Sequence, residues 1–330
     1  MSSVTISKDL CTSFKVSKVF SHTETPPITS LDYDDSGQFL ISTSVDECIQ
    51  LYDITKGKHV KPVYSKKYGC HLAKFTHNQK NCIYASTKGD DNTIRYLSLS
   101  DNSYIRYFRG HKGFVNSLEV SPKSDVFVSA SLDHTTKLWD LRASNPQASI
   151  PSTARSSVAF DPSGEVVALS NVNEGVVKFL NVKMFDAEPF YVLQLPKGYQ
   201  WDKVEFSNDS KFIMLSSSQY GHLLYDSFEF LEKGKLDGFT PIPQNEFASN
   251  GCASFTPDGK YVFSGNGLGN VCVWSLNPLD NNRQPVRGNV KPLAYLKGDA
   301  RPRLCLWNPC FAQFTTADVS ISMWIPEEAN

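Results

Sequence analysis

The sequence predicts an all-β fold, a seven-bladed β-propeller, from three observations: one apolar pattern returns seven times, the returns are spaced by about 40 to 50 residues, and the same turn residues recur at the same place within them. The copies begin at Ile28, Cys70, Val115, Ser156, Trp201, Gly251 and Arg303. In each, a short β-rich run is followed by a polar turn, a second apolar run, a Ser/Asp/Asn/Gly turn and a third run that ends near an aromatic residue. That supplies three strands, and the connecting stretches, such as 59–65, 103–108 and 189–195, supply a fourth. The turns Asp35-Ser36-Gly37, Pro162-Ser163-Gly164 and Pro257-Asp258-Gly259 occupy one position in three copies, where glycine supplies the positive φ of a tight turn. A β-sandwich with chance similarity would not repeat in this register.

The third copy carries a fuller signature: Gly110-His111 before its first strand, then Ser131, Asp133 and Trp139-Asp140. This is the spacing of a WD repeat, in which His, Ser, Asp and the Trp ring N–H form one buried hydrogen-bond chain. His111, Ser131, Asp133 and Trp139 are therefore assigned a structural role, tying the loop between blades to the middle strands. Breaking such a network costs roughly 1–3 kcal/mol per orphaned group. A catalytic His–Asp pair is the competing reading, but Trp and Ser complete the WD set. Other copies keep fragments only, such as Asp46 with Tyr52-Asp53 and Asp91 with Tyr96.

The seventh copy reaches Ile325 without a fourth strand. Residues 10–20 are expected to supply it, with Phe14, Val16 and Phe20 on one buried face. The chain then reads as one propeller domain over residues 1–330.

Bulk properties exclude several classes. At 40% hydrophobic and 20% charged residues the chain has the composition of a folded globular protein rather than a disordered one. A net charge of −1 argues against a generic nucleic-acid binder, so no direct DNA binding is expected. No apolar run is long enough to cross a membrane, and the first residues lack a signal-peptide core, so an intracellular protein with reduced thiols is expected. The eight cysteines contain no C-x-x-C pair, and no metal or other cofactor is expected.

No catalytic constellation assembles. Gly265, Gly267 and Gly269 fall in a hairpin rather than at a helix start, so they read as a turn and not as a phosphate loop. Cys70, His71 and His77 have no further ligand or base at useful spacing. A partner-binding rim is better supported. The loops leading into each first strand open on one face and carry Lys66, Lys67, Tyr68, Arg109, Lys112, Arg155, Lys197, Lys297, Arg301 and Arg303. Such cations could hold an acidic or phosphorylated peptide, although Asp46, Glu47, Asp90, Asp91 and Glu174 in adjoining turns cancel part of the field.

Several runs resemble one family beyond the general repeat: VYSKKYG from Val63, TIRYLSL from Thr93, YIRYF from Tyr104 followed by Gly110-His111, TKLWDLR from Thr136, FSND from Phe206 and FTPD from Phe255. They are similar to the WD-repeat subunit of COMPASS, the SET-domain histone H3 lysine-4 methyltransferase complex, which fungi share with the cleavage and polyadenylation factor. The resemblance covers nearly the whole chain, with its strongest runs in the first three blades. It implies a nuclear, non-catalytic adaptor that supports di- and trimethylation and acts in transcription termination and mRNA 3′-end processing. It further implies contact with the phosphorylated C-terminal domain of RNA polymerase II. Lys66, Lys67 and Tyr68 lie in a matching run and on the rim. The rival classes are a ubiquitin-ligase substrate receptor and a propeller enzyme.

Overall fold

The computed structural model describes residues 5–21, 26–153, 155–171, 174–242, 251–277, 288–298 and 301–327. Short runs of alternating or fully apolar residues form strands of three to eight residues, and these strands pair into seven four-stranded antiparallel sheets. The fold is a seven-bladed β-propeller. Blade 1 runs through Ile28–Tyr33, Phe39–Ser44, Cys48–Asp53 and Lys58–Tyr64, and blade 2 through His71–Phe75, Asn81–Ala85, Ile94–Ser98 and Tyr104–Phe108. Blade 3 comprises Val115–Val120, Val126–Ser131, Thr135–Asp140 and Ala148–Pro151; blade 4 comprises Ser156–Phe160, Val166–Asn171, Val176–Asn181 and Tyr191–Gln194. Blade 5 follows with Lys203–Phe206, Phe212–Ser217, Gly221–Asp226 and Glu232–Leu236. Blade 6 has Ala253–Phe255, Tyr261–Gly265, Asn270–Ser275 and Ala294–Lys297. The first strands of blades 2, 5, 6 and 7 start one or two residues after the expected positions at Cys70, Trp201, Gly251 and Arg303.

Blade 7 has three strands of its own, Leu304–Trp307, Phe314–Ala317 and Ser320–Pro326, and its fourth is Phe14–Ser21. The two ends of the chain pair antiparallel, from Phe14 opposite Pro326 to Ser21 opposite Ser320. This closure follows the sequence expectation, with two corrections. Residues 10–12 are not strand but the end of a short helix, Lys8–Thr12, capped by Ser7, whose hydroxyl accepts the Leu10 N–H at 3.3 Å. A bulge between Val16 and Lys18 also shifts the register by one, which turns Phe20 to the face opposite Phe14 and Val16. Phe14 remains the anchor: it is 3% exposed, and its ring lies 5.9, 5.3 and 5.2 Å from those of Phe263, Trp307 and Phe314.

The chain groups into two compact units, one built on Ile28–Val204 and the other on the amino-terminal segment with most of the chain from Glu205 onward. Within each, apolar layers fill the space between neighbouring blades. In the first unit, Leu72, Ile83 and Phe108 of blade 2 meet Leu118, Phe127 and Trp139 of blade 3. In the second, Met214 and Leu224 of blade 5 meet Phe255, Val262 and Trp274 of blade 6.

Polar links between first strands supplement these layers. A side-chain oxygen on one first strand accepts a backbone N–H from the next: Asp32 from Phe75 at 2.7 Å, Ser117 from Val158 at 3.1 Å, Ser157 from Val204 at 3.1 Å and Ser254 from Trp307 at 3.3 Å. Between blades 1, 2 and 3 a charge cluster joins in, with Lys74 Nζ 3.3 Å from Asp32 and 2.9 Å from Glu119. Burial pushes the Asp32 carboxyl up to about 6 against the pull of Lys74, with Glu119 adding to the rise.

The recurrent turns have a common construction. Gly37, Gly164 and Gly259 take φ of 68, 73 and 70°. The residue three before each glycine caps the following strand: Asp34 accepts the Phe39 N–H at 2.7 Å, Asp161 that of Val166 at 2.8 Å, and Thr256 that of Tyr261 at 3.1 Å.

Candidate partner-binding surface

The hydrogen-bond chain of blade 3 is present, but its serine is Ser129 and not Ser131. Trp139 Nε1 donates to Ser129 Oγ at 2.8 Å, and His111 Nε2 lies 2.8 Å from the same oxygen. His111 Nδ1 meets Asp133 Oδ2 at 2.9 Å. A carboxylate only accepts, so Nδ1 carries the proton and Nε2 accepts from the Ser129 hydroxyl. Burial lowers the imidazole pKa, with Asp133 opposing, which keeps the ring neutral. Asp133, although burial raises it, is held at about 2 by the Thr135 hydroxyl, the Lys112 amide and His111.

Ser129 and Ser131 share a strand face, but Trp139 stands opposite Phe127, so its indole reaches only the nearer serine. Ser131 lies about 7 Å further along the strand. There it donates to the Gly113 carbonyl at 2.8 Å and accepts the Asp133 N–H at 3.1 Å. Ser129→Ala is expected to cost about 2–4 kcal/mol, since it strips partners from two buried groups, and Ser131→Ala about 1 kcal/mol. Urea midpoints of the two variants check the order, and the reverse order would refute the assignment.

Other blades build variants that local spacing did not reveal. Trp324 Nε1 donates to Thr316 at 2.9 Å in blade 7, and Tyr52 bonds Ser42 in blade 1. In blade 6, Ser264 is met at 2.9 Å by His222 from the third strand of blade 5. In blade 2 the expected Asp91 fragment is engaged by Arg95, not by Tyr96, whose hydroxyl bonds Asn81 at 3.2 Å.

Arg95 organises the rim. It is 2% exposed, and its guanidinium donates to Asp91 and Ser86 while lying 3.6 Å from the Tyr68 ring centre. Lys67 sits over Tyr68 at 5.1 Å and Lys66 over Tyr64 at 5.3 Å. The loop carrying them is rigidly closed. Gly69 N–H reaches the Ser65 carbonyl at 2.7 Å, the Tyr68 carbonyl accepts the Thr87 and Lys88 amides at 3.0 Å, and Lys88 donates to the Lys66 carbonyl at 2.6 Å. Gly69 has φ of 68°, and a side chain there would strike Thr87 Oγ1. Lys66 and Lys67 are thus exposed on a preformed loop, with Tyr68 half-buried beneath.

The remaining expected rim residues are placed as follows. Lys112, Arg155, Lys197, Lys297 and Arg301 are exposed. Arg109 is exposed and stacks on Tyr107 at 5.3 Å; Tyr107 in turn lies 5.8 Å from Arg95. Arg303 is less available than expected, because it is partly buried and its Nε is ion-paired with Asp318 Oδ1 at 2.7 Å. The Gly265–Gly269 stretch is a hairpin turn between two strands of blade 6. His71 is buried against Phe114, and burial lowers it to about 3. Cys70 is also buried, and burial raises its thiol well above the usual range. His77 ties turns together, 2.8 Å from Asp35 and 3.0 Å from the Ser121 carbonyl. Among the described residues, no three His, Cys, Asp or Glu side chains cluster as a metal site.

Fold and surface together define a WD-repeat β-propeller that presents basic side chains on a fixed loop. The family model described as "WD domain, G-beta repeat" matches residues 14–53, 102–140 and 248–275. The chain is 37% identical to COMPASS component SWD2 of Saccharomyces cerevisiae, across 99% of this chain and 100% of the relative. It is 39% identical to WD repeat-containing protein 82 of Drosophila melanogaster across 95% of each, and 33% identical to Set1 complex component swd2 of Schizosaccharomyces pombe across 98% and 100%. The protein belongs to this family of SWD2 and WD repeat-containing protein 82.

Proposed function

We propose that the protein is a nuclear, non-catalytic adaptor, a single propeller domain that serves as a WD-repeat subunit of a COMPASS-type histone H3 lysine-4 methyltransferase complex. The observation that carries this reading is end-to-end similarity to two relatives named as COMPASS and Set1 complex components. Its partners are the SET-domain catalytic subunit and other COMPASS subunits, and its role is to support di- and trimethylation. A second assembly, the cleavage and polyadenylation factor, places it in transcription termination and mRNA 3′-end processing. The Lys66–Lys67–Tyr68 loop contacts acidic or phosphorylated segments, including the phosphorylated C-terminal domain of RNA polymerase II. Its rigid closure supports this role, because little ordering entropy remains to be lost on binding.

Affinity purification of the tagged protein tests the reading. Recovery of a SET-domain methyltransferase and of polyadenylation-factor subunits is expected, whereas a cullin adaptor in their place would overturn it. The double charge reversal Lys66→Glu/Lys67→Glu is expected to reduce binding to a serine-phosphorylated polymerase-tail peptide by about tenfold or more. Equal affinity of the wild-type protein for phosphorylated and plain acidic peptides would remove phosphate recognition from the proposal.

A further inference from the structure

Arg109 belongs to a different feature from Lys66 and Lys67. Between Tyr104–Phe108, the edge strand of blade 2, and the turn that follows Asp140 in blade 3 lies a cavity of about 310 Å³. Ile105, Arg106, Tyr107 and Arg109 form one wall, and Ser144 and Asn145 the other. The walls are fixed to each other, because Arg106 Nη1 donates to the Leu141 carbonyl. The turn is closed by Ala143 N–H to the Asp140 carbonyl at 3.0 Å and Gln147 N–H to the Leu138 carbonyl at 2.8 Å. Its one carboxylate, Asp140, is already occupied by Arg142 at 2.6 Å and Gln147 at 3.3 Å. No acid lines the cavity, so Arg106 and Arg109 give it a net positive field.

We infer that this groove docks an extended, carboxylate-rich peptide segment of a partner protein, laid along the edge of blade 2 with its acidic side chains toward Arg109 and Arg106. Three observations select this occupant. The charge of the walls is complementary to it. Tyr104–Phe108 is the last strand of its sheet, and an extended peptide can add to such an edge through backbone hydrogen bonds. Ile105, 44% exposed, offers an apolar shelf beside the cations. A single-stranded nucleic acid fits less well, because Tyr107 already stacks with Arg109 and adjoins Arg95, leaving little ring face for a base. The inference does not depend on which complex the protein joins.

Fluorescence anisotropy with a fluorescein-labelled decapeptide of alternating Glu and Val tests it on the full chain. The peptide is expected to bind. Arg109→Glu on one wall and Ser144→Glu on the other should each weaken it by about tenfold. Lys183→Glu, at an exposed lysine outside both surfaces, should leave its affinity unchanged, and unchanged thermal midpoints of the groove variants show that they remain folded. Arg109→Glu and Ser144→Glu that bind as well as wild type would overturn the assignment. So would an equal loss of binding on Lys183→Glu, or tighter binding of an oligouridine or of the phosphoserine version of the peptide. Complex membership is not read in this assay, so its outcome is separate from that of the affinity purification.

Discussion

Deleting residues 1–20 will lower the thermal midpoint by more than about 10 °C, or leave the chain unable to fold. The deletion strips the fourth strand from blade 7 and exposes the edge at Ser320–Pro326. It also removes Phe14 and Cys11 from a core they share with Phe263, Trp307, Phe314 and Trp324. The point variant Phe14→Ala isolates the packing share. Truncating a buried phenylalanine costs about 3–5 kcal/mol, which at about 2.1 cal/mol/K per residue corresponds to a shift of about 4–7 °C. Calorimetry of both variants gives the comparison. An unchanged midpoint in the deletion would show that the terminal strand contributes nothing to closure.

The second large effect is expected at Lys74, which bridges Asp32 and Glu119 on the first strands of blades 1 and 3. Its side chain is 12% exposed and that of Asp32 16%. Lys74→Met leaves two carboxylates facing each other without their cation, a loss of about 3–5 kcal/mol at neutral pH. The pH dependence separates charge from packing. Burial raises the Asp32 carboxyl from the 3.8 of a free aspartate to about 6, so the folded state holds the extra proton between these values. Stability from this group is therefore complete below about pH 4 and is lost as pH rises through about 6. Without Lys74 the carboxyl rises further. The deficit of the variant should accordingly shrink at pH 5 and be greatest near pH 8 in urea titrations. A deficit independent of pH would assign Lys74 to packing alone.

Much of the fold was legible because turn chemistry and strand patterning are local. Gly37, Gly164 and Gly259 mark their turns within the five residues that build them, and Phe14 announces a buried face by its place in an alternating run. What escaped was set by geometry between elements. Ser129 and Ser131 are alike in sequence and face the same way, and only the position of Trp139 opposite Phe127 chooses between them. His222 reaches Ser264 from another blade, so no spacing within a repeat could reveal it. A strand arginine suggests a solvated face, yet Arg95 is buried because Asp91, Ser86 and Tyr68 surround its guanidinium. The turn of Phe20 away from Phe14 came from a bulge, which alters parity without altering composition. The basic rim was visible as a list of charges. Its division into a rigid lysine loop and a separate arginine groove depended on which aromatic ring each cation meets.

The pairing of Phe14–Ser21 with Ser320–Pro326 also sets an order of events during synthesis. Phe14–Ser21 leaves the ribosome well before its partner and must wait for it, a delay of roughly 15–60 s at about 5–20 residues per second. For that interval Phe14 and Val16 travel without their mates on a nascent chain whose other blades are already able to form. A chaperone that shields short apolar segments would find its substrate there, and translation slowed ahead of Ser320–Pro326 would prolong the exposure.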